Sequence, residues 1–108
     1  MIITTTPQLE NQKIQEYIGI ISTTHVLGAT MLKDFLASLR DFFGGRVKSY
    51  EKIFNQARQK CLEELEQQAK TLGADAIIGV QFEWEAIGRT GTSMLVAASG
   101  TAVKLDKK

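Results

Sequence analysis

Two hydrophobic periods organise the chain. Over residues 14–26 isoleucine, threonine and tyrosine dominate, with Ile14, Ile18 and Ile20 on one parity and Tyr17 and Ile21 on the other, which predicts a strand. Apolar residues on both parities require cover on both faces of its middle. Residues 2–5 read as a further short strand, ended by Pro7. The period then changes. Behind Thr30, a capping residue, Met31, Leu32, Phe35, Leu36, Leu39 and Phe42 recur at spacings of three and four and predict a first, shorter helix. Gly44-Gly45 stops it, because glycine takes the positive φ that a helix terminus favours. A second stripe starts after Arg46 and runs through Val47, Tyr50, Phe54, Ala57, Cys61, Leu65, Ala69 and Leu72, a long helix that ends at Gly73.

The period then returns to two. Ala74, Ala76, Ile78, Val80, Phe82 and Trp84 share one parity, while Asp75, Gln81, Glu83 and Glu85 mostly fill the other, which predicts a strand with one wet face. Gly88-Arg89-Thr90-Gly91 supplies turn chemistry, and residues 94–103 follow with apolar residues on both parities. This hairpin's second arm reads as the central strand or one facing another subunit, since Met94, Val96, Ala98 and Ala102 lie on one side and Leu95, Ala97 and Val103 on the other. The fold class that follows is α+β: a helical layer, one helix long and one shorter, over an antiparallel-rich sheet. One helical layer covers one sheet face, so a copy of the same chain is the simplest cover for the other.

Composition narrows the functional classes. The 108 residues, 44% hydrophobic and 23% charged, suit a single domain over residues 1–108 whose small core a partner subunit would complete. A net charge of +1 supplies no field for nucleic acid or an anionic membrane, so neither is expected as a partner. Apolar runs fall far short of the ~20 residues that span a bilayer. The start lacks the basic and apolar regions of a secretory signal. With one cysteine and no internal disulfide to form, the expected compartment is the cytoplasm.

The candidate chemistry is thin. His25 and Cys61 are the only soft metal donors, and no pair stands at zinc-finger spacing. Cys61 continues an apolar helical stripe and reads as a core thiol, while His25 ends a strand and reads as a surface or interface histidine. An intramolecular soft-metal site needs more donors than these; repetition around an oligomer axis could supply them from His25, Asp75 or Glu83. Glu83 and Glu85 point the same way, as paired carboxylates must for acid/base work, yet the solvent parity of a strand carries acids for solubility alone. No triad is in view, and the Gly88 turn lacks the lysine and helix of a phosphate loop. Gly44-Gly45-Arg46, at a helix start, could favour an anion, or Arg46 could pair with Asp41 or Glu51.

The ordered motifs Ile3-Thr4-Thr5-Thr6, Leu27-Gly28-Ala29, Leu39-Arg40-Asp41 with Gly44-Gly45-Arg46, Ser49-Tyr50-Glu51, Leu72-Gly73-Ala74-Asp75-Ala76 with Gly79, and Ser99-Gly100-Thr101-Ala102-Val103 resemble the YbjQ-like family. That family comprises uncharacterised bacterial proteins described as heavy-metal-binding. The resemblance spans nearly the whole chain. It implies a dodecin-like βαββ subunit in a homopentameric ring, with short extra strands joining subunits. Where the family continues with glycine and glutamate after Ile21-Ser22, this chain has Thr23-Thr24-His25, so no role of that glutamate carries over.

The expected function is therefore that of a non-enzymatic homo-oligomeric scaffold or binding module. No cofactor is identified; the alternatives are a divalent metal ion held between subunits, or a small molecule taken up as in dodecin-like proteins, with Trp84 and Tyr17 as stacking residues. The motif residues Arg40, Asp41, Gly44, Gly45, Arg46, Tyr50 and Glu51 make up the turn between the predicted helices and a possible subunit contact. If their ion pairs cross an interface, Arg46→Ala shifts the oligomer toward smaller species in size-exclusion chromatography; an intact assembly of unchanged thermal stability rejects that role.

Overall fold

A computed structural model describes residues 1–27, 46–87 and 93–106. Its elements, in chain order, are β1 (Ile2–Ile3), β2 (Ile14–Leu27), α1 (Arg46–Thr71), β3 (Ala76–Ile87) and β4 (Ser93–Leu105). The predicted first helix, the Gly44-Gly45 break and the Gly88 turn fall outside the described residues. The four strands form one mixed sheet in the order β1-β3-β4-β2, parallel between β1 and β3 and antiparallel elsewhere. The strand that is apolar on both parities, β4, thus lies between two long neighbours, as its pattern requires. Among the described residues no helix is long and apolar enough to cross a membrane.

Among the described residues one helix, α1, packs on one sheet face. Ile53, Cys61, Leu65 and Ala69 of α1 are buried, with Ala57 partly buried between them, a spacing of four that keeps a single stripe against the sheet. The sheet answers with Ile21 from β2, Ile77 and Val80 from β3, and Val96, Ala98 and Ala102 from β4. Leu72, predicted to extend the stripe, instead lies beyond the last helical residue and is exposed. The helix closes there in a Schellman arrangement: Gly73 has φ 77°, its N–H donates to Lys70 O (3.0 Å), and Ala74 N–H donates to Ala69 O (2.9 Å).

The unbroken alternation expected of β3 does not hold. Ala76 and Ile78 pack on the face away from α1, with Val103, whereas Ile77 and Val80 pack beneath the helix. The cause is a bulge. Ile78 pairs with Thr101 and Gln81 with Ser99, so Gly79 and Val80 stand opposite the single residue Gly100. Gly79 takes φ 61°, which a side chain would strain. Its N–H donates to Thr6 O (2.9 Å) and that of Val80 to Thr4 O (3.0 Å), so the N-terminal segment satisfies the bulge. The inserted residue inverts the parity of all that follows: Val80, Phe82 and Trp84 face α1, and Gln81, Glu83 and Glu85 face away.

Gly100 marks the tightest approach beneath the helix. A Cβ there would lie 2.7 Å from Ile77 Cγ2 and 3.2 Å from Val80 Cγ2, both on β-branched side chains with little freedom to move. Gly100→Ala should therefore cost about 1–3 kcal/mol by overpacking. Thermal unfolding followed by circular dichroism checks this.

Candidate functional site

The polar chemistry of the described residues concentrates on the seam between α1 and β2. Alternation along β2 places Ile21, Thr23 and His25 on the helix side. The helix periodicity puts Glu64 and Gln68 one turn apart on the flank that meets that edge. Glu64 Oε2 accepts hydrogen bonds from Thr23 Oγ1 and from His25 Nε2, the latter at 2.8 Å. Gln68 Nε2 donates to Ser22 O at 2.8 Å. The side chains of His25 and Glu64 are 25% and 39% exposed, so the pair sits at the rim of the core and not within it.

The charge state follows from these contacts. The hydrogen bond from Thr23, then that from His25, stabilise the Glu64 carboxylate and lower its pKa, with the His25 and Lys60 charges adding to the effect and partial burial opposing it. Cys61, one turn earlier on α1, is fully buried; burial, and secondarily the Glu64 charge, raise its thiol pKa. Its role is therefore the core thiol its stripe position predicts.

The other flank of α1 is aromatic. Phe54 and Trp84 have ring centroids 5.1 Å apart at 53°, and the Arg58 guanidinium lies 5.7 Å from the Trp84 ring while its Nη2 donates to Asn55 Oδ1. Such a ring pair contributes about 0.5–1.5 kcal/mol beyond its area. Trp84 thus packs on the helix as its parity suggests, yet half of it stays exposed. The helix is fixed on both sides, by polar bonds to β2 and by rings to β3.

The remaining candidates are dispersed. Asp75 Oδ2 accepts from Leu105 N–H (2.9 Å) and Asp75 N–H donates to Val103 O (2.9 Å), which ties the end of β4 to the start of β3. Glu83 and Glu85 are exposed on the face away from α1. Arg40, Asp41, Gly44 and Gly45 lie outside the described residues; Arg46, Tyr50 and Glu51 occupy the first turns of α1, and their side chains lie outside the described set. Among the described residues no three His, Cys, Asp or Glu side chains are grouped to hold a metal ion. Sequence reasoning missed Glu64, which the helix pattern marks as one of several polar positions; nothing local distinguishes a carboxylate that meets a strand 39 residues away.

The face opposite α1 is the larger feature. Among the described residues only its β4 C-terminal end is covered, where Leu9, Ile14 and Leu105 pack on Ala76, Ile78 and Val103. Cover expected from a second copy alone is thus partly supplied by the N-terminal segment. Beyond it, register aligns four rows across β3, β4 and β2: Ile78-Thr101-Ile20, Gln81-Ser99-Ser22, Glu83-Ala97-Thr24 and Glu85-Leu95-Val26. Ile20 is 84% exposed, Tyr17 65% and Val26 56%. The small residues of the middle rows leave a shallow groove of about 130 Å³.

Because the folded pKa of Glu64 is depressed, its contribution to stability is present above the ordinary carboxylate range and is lost as pH falls through the folded value. Glu64→Gln keeps an acceptor for Thr23 and His25 but removes the charge. The variant should be less stable than wild type at neutral pH, and the gap should close on acidification. Thermal midpoints measured from neutral to acid pH check this; a gap that stays constant contradicts it.

Comparison with known proteins follows the fold. A crystal structure of a protein of unknown function from Pediococcus pentosaceus, belonging to the DUF74 family, superposes with a TM-score of 0.68 at 20% identity, covering 98% of this chain and 98% of that one. At that identity the likeness shows the shared fold. The family model described as "putative heavy-metal-binding" matches residues 1–106, and DUF74 denotes the same family. The chain belongs to the YbjQ family.

Proposed function

We propose that this protein is a non-catalytic binding module that works as a homo-oligomer, the pentameric ring implied by the family resemblance being the assembly of choice, in the cytoplasm. The observation that carries the reading is the open sheet face. Tyr17 and Ile20, opposite Val103 and Thr101, and Val26, opposite the half-buried Leu95, are exposed along β2, and among the described residues the cover of this face stops at Leu9. Complete burial of a Val or Ile side chain is worth about 1.5–3 kcal/mol, so a second copy seated here gains substantially. The non-catalytic reading is supported by the single histidine, His25, being engaged with Glu64 at the helix seam, where the same carboxylate oxygen also holds the Thr23 hydroxyl. The support for a divalent metal is the family description itself, to which the donor geometry of the described residues adds nothing. Small-molecule uptake rests on the dodecin analogy and on the half-exposed Trp84.

Light scattering coupled to size-exclusion chromatography tests the reading. The wild type should run as a multiple of 12.0 kDa. Ile20→Glu, which places a charge on the open face without touching the α1 core, should shift the population toward single chains. A folded wild-type species of 12.0 kDa at micromolar concentration overturns the proposal.

A further inference from the structure

We infer that two free sheet edges, residues 20–27 of β2 and residues 81–87 of β3, pair with each other between copies of this chain, so that the sheet continues from one subunit into the next. Such a joint rests on the homo-oligomer reading above, and it uses main-chain edges in addition to the open face.

In the order β1-β3-β4-β2, β2 has a strand neighbour on one side only. β3 is covered on its outer side at its start, where Ile2 and Ile3 pair with Ala76 and Ile77, and Thr6 O and Thr4 O accept from the Gly79 and Val80 N–H groups. Further along, among the described residues, β4 is the one strand that pairs with 81–87, and neither 81–87 nor 20–27 makes a main-chain hydrogen bond outside its ladder with β4. α1 touches the β2 stretch through Gln68 Nε2, which donates to Ser22 O. Every other N–H along such an edge points away from the ladder, ready for another strand.

Sheets guard free edges with charge, proline or a bulge. The irregularities of β2 lie upstream, between Ile14 and Gly19, whereas 20–27 pairs with β4 without a shift and holds no Pro, Gly, Asp, Glu, Lys or Arg. β3 carries the exposed Glu83 and Glu85 in its free stretch. Two β3 edges would bring these carboxylates together, which is unfavourable. Two β2 edges could pair, but they would leave both β3 edges unused. β2 against β3 satisfies both.

Direction and level fit that choice. β2 and β3 each run antiparallel to β4, hence parallel to one another. Their free stretches flank the same part of β4, since 20–27 lie opposite 101–94 and 81–87 opposite 99–93. A second copy set beside the first by rotation, without inversion, brings its β3 level with this β2 in a parallel ladder and keeps α1 on the same side of the sheet. Seven residues on each edge then align over about 23 Å. Trp84, half exposed, sits within the β3 stretch at this joint.

Hydrogen–deuterium exchange of the wild-type protein, read by mass spectrometry on peptides covering 20–27 and 81–87, tests the joint. In the assembled protein nearly all amides of both stretches should be protected. In single chains, obtained by dilution or with Ile20→Glu, about half the amides of each stretch should exchange at the unprotected rate, as the outward groups of a free edge do, while β4 stays protected. An assembly in which about half of either stretch exchanges freely overturns the joint and leaves the homo-oligomer standing; free exchange confined to 81–87 would assign pairing of β2 with β2 instead. Full protection that persists in single chains also overturns it, because the edges are then covered within one chain. A wild type found only as single chains removes the homo-oligomer reading and the joint together.

Discussion

A strand hydrogen-bonded on both edges and apolar on both faces sets the terms for the rest of this molecule. β4 runs between β3 and β2, with Val96, Ala98 and Ala102 beneath the helix and Leu95, Ala97 and Val103 on the other side. Hydrogen bonding satisfies its backbone, but each face still needs apolar cover. The helix supplies one layer through a stripe spaced by four residues, and its two flanks are then fixed differently: Glu64 and Gln68 bond to β2, while Phe54 and Arg58 pack on Trp84 of β3. On the second face the described residues meet the same need at one end, through Leu9, and leave Ile20 and Val26 exposed.

The bulge at Gly79 is what lets the one strand β3 serve both faces. Upstream of it Ile77 faces the helix and Ala76 and Ile78 face the N-terminal segment; downstream Val80, Phe82 and Trp84 face the helix. Three separate sequence features meet at this point. Gly79 provides the positive φ, Thr4 and Thr6 provide the carbonyls that accept the bulge N–H groups, and Gly100 provides the space for Ile77 and Val80 to pass. The threonine run, Gly79 and the Ser99-Gly100-Thr101 stretch, which carry much of the family resemblance, therefore have a shared structural reason. The Gly73-Ala74-Asp75 stretch has another, as a helix stop whose aspartate anchors the end of β4.

This division explains what the sequence made legible. The long helix, the four strands and the central place of β4 are written in local periodicity, and the core thiol Cys61 follows from its place in the stripe. Alternation carried straight through Gly79 gives the wrong parity for β3; a glycine inside a strand pattern is itself the bulge signal, and it competes with an otherwise regular run of apolar residues. Leu9 and Glu64 were illegible for a different reason. Each acts across a long sequence separation, Leu9 on Val103 and Glu64 on His25, and a single apolar residue in an irregular segment or one acid on a polar helix face carries no local mark of its partner.

The proposed function turns on the face that the described residues leave largely open, since the polar seam on the opposite side is occupied with holding α1 in place. The assembly proposed above would bury β2's outward residues against a second copy. Hydroxyl-radical footprinting read at Tyr17, Ile20 and Val26 tests this most directly. The account predicts that in the native protein all three are oxidised several-fold more slowly than in a dilute single chain, with protection falling together on dilution. Oxidation at the full rate of surface side chains, independent of concentration, would contradict it.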